Sequence, residues 1–265
     1  MNQTLAFIHP EAKIAQNVVI EPFAVIQKDV EIGEGSWIGS HATILEGVRI
    51  GKNVRIFQGA VIGGIPQDLK FGGEYSTVEI GDNSTIREFV TVNRGTSAHG
   101  KTEIGKDCLI MAYSHVAHDC VIGNHVILSN NVQLAGHIIV EDWVIIGGVS
   151  AVHQFVKIGQ HAFISGGSLV RKDVPPYVKA AREPLSYAGI NSLGLQRRGF
   201  EANQIAEIQE AYRFLFLRGL NTADATSKIE SEIAQSETRD VVINFIKNAD
   251  RGIIKGPSSK SVEEV

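Results

Sequence analysis

Histidine side chains are concentrated in the middle of this 265-residue chain, and Asp119 lies among them. His115, His118 and Asp119 lie close together, and His137 and His153 follow further along. A neutral imidazole can remove a proton from a hydroxyl near neutral pH, and a neighbouring carboxylate can orient it. A lone histidine is more often an ordinary surface residue. The interpretation therefore depends on whether the fold brings these side chains together.

A six-residue repeat of aliphatic side chains runs through most of the chain. Of the 28 positions taken every six residues from Ile8 to Val170, 25 are Ile, Val or Leu, and the exceptions are Asp68, Glu74 and Ala98. Glycine often follows the aliphatic residue. A period of six fits neither an α-helix nor a simple alternating strand. It fits short strands joined by tight corners, and therefore predicts a parallel β-helix.

This repeat resembles the hexapeptide-repeat acyltransferase superfamily. The resemblance implies a left-handed coil of triangular section in which residues 18 apart stack. Stacked in this way, His118, Gly136 and Gln154 form one column, and Asp119 lies beside His137 in the next. We therefore expect polar groups from successive coils to meet at one edge, which favours a functional site.

The expected fold class is mainly β, a left-handed parallel β-helix of hexapeptide repeats with a C-terminal α-helical cap. We expect the β-helix to cover residues 1–190. Loops should leave it near 64–78 and 94–102, because the repeat keeps its phase across both breaks. Residues 191–255 are expected to form the helical domain, and 256–265 a flexible tail.

The cap is predicted from helical periodicity that begins near Phe200. Gly219 should end the first helix, and two more are expected over 222–235 and 238–249. The prolines Pro175 and Pro176 are expected to end the regular strand pairing.

Composition excludes several classes of function. The formal charge of −4 argues against a broad nucleic-acid-binding surface. No apolar run reaches the roughly 18 residues that a transmembrane segment needs, and no secretory signal opens the chain. Cys108 and Cys120 have no CxxC spacing, so a reducing cytoplasm is expected.

Five motifs make the resemblance specific. They are Gln67-Asp68-Leu69-Lys70, His115-Val116-Ala117-His118-Asp119-Cys120, Leu134-Ala135-Gly136-His137, Ala151-Val152-His153-Gln154-Phe155 and Arg197-Arg198-Gly199-Phe200. In order and spacing they resemble the UDP-N-acetylglucosamine O-acyltransferases of lipid A biosynthesis. The resemblance implies a cytoplasmic enzyme of a Gram-negative-type bacterium. It would transfer a 3-hydroxyacyl group from acyl carrier protein to the 3-hydroxyl of UDP-N-acetylglucosamine, the first step of that pathway.

The resemblance also implies the catalytic roles. His118 matches the general base, Asp119 the carboxylate that orients it, and the backbone N–H of Gly136 the donor to the oxyanion. Neutral imidazole suits the removal of a hydroxyl proton, and an oxyanion needs a preorganised donor. Attack is expected to be direct, without an acyl-enzyme, a cofactor or a metal ion.

Further residues match substrate contacts of the family. Asp68 and Lys70 match contacts to the nucleotide sugar. The residues that match contacts to the sugar and diphosphate are His115, His137, His153 and Gln154. Asn191 and Arg197 match nucleotide contacts, and so does Arg198, for which a solvated charge at a helix start is an equal alternative. Leu193 departs from the acidic residue that the family often has there, so a ribose or uracil contact of the family is expected to be absent or to come from another residue.

Small residues at successive coils suggest an acyl groove. Ala112, Asn130, Gly148 and Gly166 form one column, although glycines that ease corners are an equal explanation. In the family, bulk at the end of the groove limits chain length. Gly166 leaves that end open, so we expect a preference for a longer 3-hydroxyacyl group.

The family's architecture implies a homotrimer with the site between subunits, so that Lys70 would lie opposite His118 of a neighbouring copy. Acyl carrier protein is acidic and would need a local basic patch. Arg213, Arg218, Lys228 and Lys247 of the cap are candidates.

Three alternatives remain open at this stage. A related hexapeptide-repeat sugar N-acyltransferase or acetyltransferase would share the fold, although the N-acyltransferase carries an extra N-terminal domain and the repeats here begin by Ile8. A γ-carbonic-anhydrase-like zinc enzyme is disfavoured, because no two histidines here lie five apart. A non-enzymatic scaffold would leave His118, Asp119 and Lys70 without a role.

Overall fold

A computed structural model describes residues 5–257 of the chain. Most strands are only two residues long, and the second residue of each is an aliphatic residue of the six-residue repeat. In the strand Val25–Ile26, for example, Val25 is partly exposed and Ile26 is fully buried. Side chains alternate across a strand, so each aliphatic residue enters the interior of the coil.

The strands form three parallel sheets, one on each face of a prism. The first sheet contains Phe7–Ile8, Val25–Ile26, Thr43–Ile44, Val61–Gly64, Thr91–Asn93, His115–Val116, Gln133–Leu134, Ala151–Val152 and Leu169–Val170. The second contains Lys13–Ile14, Glu31–Ile32, Val48–Ile50, Thr77–Ile80, Lys101–Ile104, Val121–Ile122, Ile139–Val140 and Lys157–Ile158. The third contains Val19–Ile20, Trp37–Ile38, Arg55–Ile56, Thr85–Ile86, Leu109–Ile110, Ile127–Leu128, Ile145–Ile146 and Phe163–Ile164, and it ends with Val178–Ala181 and Ser186–Ile190. The predicted left-handed parallel β-helix with a helical cap is confirmed.

Strand register explains the three exceptions in the repeat. Most paired residues are 18 apart, as in His115 with Gln133. Pairing is 30 apart across the first long loop, as in Ile62 with Val92, and 24 apart across the second, as in Thr91 with His115. The loops thus add twelve and six residues, which are two positions and one position of the repeat. Because the insertions are multiples of six, every aliphatic residue beyond them still faces inward.

Each corner of the coil places one residue in the left-handed region of backbone space. Three edges result, and we number each edge after the sheet that precedes it. Edge 1 carries Asp119, His137 and Phe155, with φ of 59°, 58° and 66°. Edge 2 carries His125, Trp143 and His161, and edge 3 carries Tyr113, Asn131 and Val149. Asn, Asp and His tolerate this conformation better than most residues.

The cap consists of four helices: α1 (Ser192–Arg197), α2 (Ala202–Phe216), α3 (Thr222–Glu232) and α4 (Glu237–Lys247). The Tyr212 hydroxyl donates a 2.6 Å hydrogen bond to the carbonyl of Pro176, which joins α2 to the end of the β-helix. The chain then returns to the strands, where Ile253 pairs with Asp173 and Lys255 with Ser186.

Local structure near the cap differs from the sequence expectations in two respects. The antiparallel pair Val178–Ala181 and Ser186–Ile190 continues the third sheet beyond the prolines, and α1 precedes the first expected helix. Both elements lie outside the six-residue repeat, so the pattern carried no signal for them. Most of the expected tail, residues 258–265, lies outside the described residues.

Within residues 5–257, none of the helices is both long enough and apolar enough to cross a lipid bilayer.

Candidate active site

His118 and Asp119 form a hydrogen-bonded pair at edge 1. His118 Nδ1 lies 2.8 Å from Asp119 Oδ2, and the side chains are 9% and 0% exposed. The carboxylate also accepts two hydrogen bonds from Thr96, one from its N–H to Oδ1 at 2.9 Å and one from its hydroxyl to Oδ2 at 2.7 Å. The N–H of Asp119 donates to Thr102 Oγ1 at 2.9 Å. The carboxylate is therefore held in one orientation, with the imidazole Nε2 left for other chemistry.

The electrostatics of edge 1 favour an ionised carboxylate beside neutral imidazoles. Burial by itself would raise the pKa of Asp119, but hydrogen bonds from His118 and Thr96 hold that pKa below its usual range. Burial lowers the pKa of His137, although Asp119 opposes this shift. Burial and the neighbouring His118 also lower the pKa of His115. His115 and His137 are therefore neutral near neutral pH.

Gly136 lies directly against the imidazole of His118. A Cβ at this position would be 2.6 Å from Cε1 and 2.7 Å from Nε2 of that ring, so only glycine fits. Gly136 is buried, and its N–H forms no hydrogen bond with any of the residues 5–257. Buried N–H groups normally have partners. This N–H is therefore a free donor next to the candidate base.

The other predicted polar residues of this edge lie on neighbouring coils. His137 packs edge-on to His118, with ring centroids 5.0 Å apart, and stacks on Phe155 at 4.7 Å. His115 Nδ1 is 2.7 Å from the Thr91 hydroxyl. His153 is exposed, and its Nδ1 lies 3.1 Å from the carbonyl of Gln154. These groups provide polar atoms on both sides of the His118–Asp119 pair.

The two long loops, 65–76 and 94–100, reach the same edge. Asp68 influences the pKa of His137 by its charge, and its Oδ1 accepts the N–H of Lys70 at 2.9 Å. Lys70 is exposed. Glu74 joins the loops, because its carboxylate accepts the N–H of Gly72 and that of Ser97, each at 2.9 Å. A chain of hydrogen bonds thus runs from the first loop through the second to Asp119.

Sequence reasoning missed the structural roles of Thr96, Thr102 and Glu74. Glu74 was visible only as an exception in the aliphatic register. The two threonines gave no signal, because their contacts with Asp119 join residues 23 and 17 apart across irregular backbone.

The predicted nucleotide contacts lie elsewhere, at edge 2 and in α1. The Asn191 side chain donates to the carbonyl of His161 at 3.0 Å. The Arg198 guanidinium lies 5.1 Å from the Trp143 ring and 3.4 Å from His161 Nδ1. Burial and the charge of Arg198 lower the pKa of His161 to about 4. Arg197 and Leu193 are exposed. Within one chain these residues do not join His118, because a face of the prism separates the two edges.

The predicted acyl-groove glycines lie at edge 3. A Cβ on Gly166 would be 3.1 Å from the carbonyl oxygen of Gly148, and a Cβ on Gly148 would be 3.0 Å from that of Asn130. There is therefore little room for a side chain between successive coils of this column. Within one chain, edge 3 is also separated from His118 by a face of the prism.

His118, Asp119 and His137 could together hold a metal ion, because their ligand atoms lie within 4.8 Å of one another. Both carboxylate oxygens of Asp119, however, already accept hydrogen bonds, and His118 directs Nδ1 toward the carboxylate. A metal ion would have to displace these donors. The three side chains, with the hydrogen bonds they already make, fit an acid–base pair better than a metal site.

The four cap cations proposed for carrier binding are each paired with a glutamate. Arg213 and Arg218 both contact Glu210, at 3.1 Å for Arg213. Lys228 pairs with Glu232 at 2.8 Å, and Lys247 with Glu230 at 2.6 Å. These exposed pairs contribute little to stability, but they offset the positive charge that an acidic partner would meet.

Family models match most of the β-helix and the cap region. The model described as bacterial transferase hexapeptide (six repeats) matches residues 11–44, 29–64 and 101–136. The model described as UDP N-acetylglucosamine O-acyltransferase, domain 2, matches residues 173–254.

Individual relatives cover nearly the whole chain. Proteins named acyl-[acyl-carrier-protein]–UDP-N-acetylglucosamine O-acyltransferase include one from Xanthomonas oryzae, 46% identical over 94% of this chain and 96% of its own length. One from Xylella fastidiosa is 45% identical over 96% of this chain and 100% of its own length. A solved UDP-N-acetylglucosamine acyltransferase from Bacteroides fragilis superposes with a TM-score of 0.95 at 51% identity, covering 96% of this chain and all of its own. The UDP-N-acetylglucosamine acyltransferase of Francisella novicida superposes with a TM-score of 0.94 at 42% identity, and the match covers 98% of this chain and 96% of that protein's chain.

Proposed function

The chain belongs to the acyl-[acyl-carrier-protein]–UDP-N-acetylglucosamine O-acyltransferase family, and we propose that its reaction uses His118 as general base. The names of its relatives give an acyl carrier protein and UDP-N-acetylglucosamine as the substrates, and the proposal carries these over to this chain. The proposal adds that the donor holds a 3-hydroxyacyl group as a thioester and that the acceptor is the 3-hydroxyl group of the sugar.

The observation that carries the proposal is the bonding of His118 and Asp119. With Nδ1 held by an ionised carboxylate, the His118 imidazole presents Nε2 as the proton acceptor of the proposed reaction. His118 removes the proton of the sugar hydroxyl as the oxygen attacks the thioester carbonyl. Asp119 stabilises the imidazolium that forms. A correctly placed base of this kind contributes on the order of 10²–10⁴ in rate.

The tetrahedral intermediate carries a negative oxygen, and the free N–H of Gly136 is the candidate donor to it. When the carbon–sulfur bond breaks, the imidazolium returns its proton to the leaving sulfur. The products are the 3-O-acylated nucleotide sugar and the free thiol of the carrier. No covalent acyl-enzyme is needed.

The separation of the three edges supports assembly of the site between copies of the chain. His118 lies at edge 1, Asn191 and Arg198 at edge 2, and Gly166 at edge 3. In a homotrimer, the edges of different subunits can meet, so that one subunit supplies the base and a neighbour supplies contacts such as Asn191 and Arg198. Sedimentation that finds a fully active monomer would exclude this arrangement.

The direct test uses the purified protein with UDP-N-acetylglucosamine and a panel of 3-hydroxyacyl carrier proteins, with products identified by mass. We expect one O-acylated product, and a loss of about 10²–10⁴ in kcat for His118→Asn. His41→Asn is the matched control, because His41 is exposed at edge 3 and stacks on Phe23. Unchanged turnover by the His118 variant would refute the assignment of the base.

A further inference from the structure

A tyrosine binds the C-terminal end of the first long loop to the N-terminal coils of the β-helix. The Tyr75 hydroxyl donates a 2.9 Å hydrogen bond to Asp29 Oδ2, and Arg49 Nη2 donates to Asp29 Oδ1 at 2.7 Å. Arg49 Nη2 also donates to the Tyr75 hydroxyl at 3.1 Å. Each of these three side chains therefore contacts the other two, and we call the group of Tyr75, Asp29 and Arg49 the tyrosine clamp.

The tyrosine clamp is a charge-assisted network at neutral pH. Burial by itself would raise the pKa of Asp29, but hydrogen bonds from Tyr75 and Arg49 hold that pKa below its usual range. The hydrogen bond to Asp29 raises the pKa of Tyr75, so the hydroxyl keeps the proton that it donates. Hydrogen bonds to an ionised group are stronger than neutral ones, so this contact holds the end of the loop firmly.

The clamp joins a loop residue to two residues of regular coils. Asp29 occupies a corner of edge 1, with φ of 52°, and Arg49 lies in the strand Val48–Ile50 of the second sheet. Tyr75 belongs to the first long loop, and 65% of it is exposed. The clamp therefore attaches the irregular loop to the rigid part of the fold.

A second attachment lies next to the clamp. The carboxylate of Glu74 accepts hydrogen bonds from the N–H groups of Gly72 and Ser97. Adjacent residues of the loop thus bind in two directions, Glu74 to the second long loop and Tyr75 to the N-terminal coils. Two contacts in different directions fix both the position and the orientation of this end of the loop.

The middle of the loop carries the predicted contacts to the nucleotide sugar. The Asp68 carboxylate accepts the N–H of Lys70 at 2.9 Å, and the Asp68 carbonyl accepts that of Phe71 at 3.0 Å, so these bonds stay within the loop. The Arg94 guanidinium lies 5.5 Å from the Phe71 ring, a cation–π contact that is weaker than a charged hydrogen bond. The placement of Asp68 and Lys70 therefore depends strongly on the fixed end of the loop.

We propose, on the basis of the function given above, that the tyrosine clamp positions the first long loop for binding of the nucleotide sugar. Its three residues are positioning residues, which act through Asp68 and Lys70 and do not themselves touch the substrate. A loop that is already held in its binding position loses little conformational entropy when the substrate binds. Without the clamp, binding of the substrate has to order the loop, and the affinity for the substrate falls.

The test combines steady-state kinetics with proteolysis of the loop. Tyr75→Phe removes the hydroxyl and keeps the ring. We expect KM for UDP-N-acetylglucosamine to rise about tenfold with little change in kcat, because a hydrogen bond to a charged group is lost. Trypsin cleavage after the exposed Lys70, followed by mass, should become faster, because cleavage requires a loosened segment. Thermal unfolding should stay as in the parent protein, since exposed polar contacts contribute little to stability.

Two further variants separate positioning from a general effect on the fold. Asp29→Asn removes the charged acceptor, and Asn tolerates the left-handed backbone of this corner. The double variant Tyr75→Phe/Asp29→Asn should raise KM no further than the larger of the two single changes, because both break one network. The control is Lys28→Gln, which breaks the ion pair of Lys28 with Glu46 at 3.6 Å. That pair does not involve the loop, so this variant should keep the parent's KM and cleavage rate.

The outcomes distinguish this proposal from the proposed function. If the parent protein forms no acylated nucleotide sugar, the proposed function is wrong and the positioning role falls with it. If product forms and Tyr75→Phe keeps the parent's KM, only the positioning role is wrong, whether or not cleavage after Lys70 is faster. A fall in kcat at unchanged KM would also overturn it, because Tyr75 would then act on the base and not through the loop.

Discussion

Thr96 donates two hydrogen bonds to the carboxylate of Asp119, from its backbone N–H and from its hydroxyl. The two groups reach different oxygens, so the carboxylate plane is fixed while Oδ2 also contacts His118 Nδ1. A residue of the second long loop therefore fixes the orientation of the candidate catalytic pair, and Thr96 itself is buried.

Loss of the Thr96 hydroxyl is expected to lower kcat more than it raises KM. Thr96→Val keeps the size of the side chain but leaves one carboxylate lone pair without its donor, and we expect kcat to fall about tenfold. Thr96→Ser restores the hydroxyl and should recover most of the activity. Steady-state kinetics with a pH profile distinguishes this positioning role from simple destabilisation. Equal kinetics for the Val and Ser variants would contradict it.

A side chain at position 136 is expected to displace the base. Gly136→Ala places a Cβ 2.6 Å from the His118 ring, and a misplacement of about 1 Å can cost on the order of 10² in rate. Turnover and thermal unfolding should be measured together. The control is Gly72→Ala, where a Cβ has its nearest neighbour at 3.5 Å. A Gly136→Ala variant with the parent's kcat would remove Gly136 from the site.

Added bulk at position 166 is expected to shift the preferred acyl length. Gly166→Met should favour shorter 3-hydroxyacyl donors, because the new side chain fills the open end of the proposed groove. The relative kcat/KM across a series of chain lengths is the measurement. An unchanged profile would show that the glycine column only relieves crowding at the corners, where a Cβ on Gly166 is 3.1 Å from the carbonyl oxygen of Gly148.

The buried His161 is expected to make stability depend on pH. Its pKa is lowered from 6.5 to about 4 in the folded protein, so the unfolded chain binds the proton more readily between those values. The stability that the neutral His161 contributes to the free energy of unfolding is therefore fully present above pH 6.5 and is lost as pH falls toward 4. This contribution amounts to about 3 kcal/mol.

Chemical denaturation at pH 7 and pH 5 tests this prediction. His161→Asn should reduce the difference in the free energy of unfolding between the two pH values, whereas the exposed His41→Asn should leave it as in the parent protein. Asn tolerates the left-handed backbone at both positions. A His161 variant with the full parental pH dependence would assign the effect to other groups.

Glu74 is expected to couple the two long loops. Glu74→Ala removes the acceptor for the N–H groups of Gly72 and Ser97, so the first loop should lose its attachment to the second. We expect KM for the nucleotide sugar to rise about tenfold with a smaller change in kcat. A tenfold fall in kcat with an unchanged KM would indicate instead that Glu74 acts through Thr96 on the base.

The amino-acid sequence determined the β-helix and the neighbourhood of His118, Asp119, Gly136 and His137. Both follow from a local rule, because an aliphatic residue at every sixth position must face inward and so sets the stacking of its neighbours. The loop insertions add multiples of six residues and leave that register intact. Motifs within one coil, or within adjacent coils, could therefore be placed before any coordinates were known.

Only the tertiary structure decided which irregular segments meet. The contacts of Thr96 with Asp119, the pairing of Lys247 in α4 with Glu230 in α3, and the closure of the cavity lined by Leu169, Leu185 and Ile254 all join segments that share no repeat. The placement of Asn191 at edge 2 also required coordinates, because this residue lies beyond the repeat, whereas the column of Gly166 followed from the 18-residue stacking. Such contacts depend on loop paths and side-chain packing, which are set by the free energy of the whole fold and leave no periodic trace in the sequence.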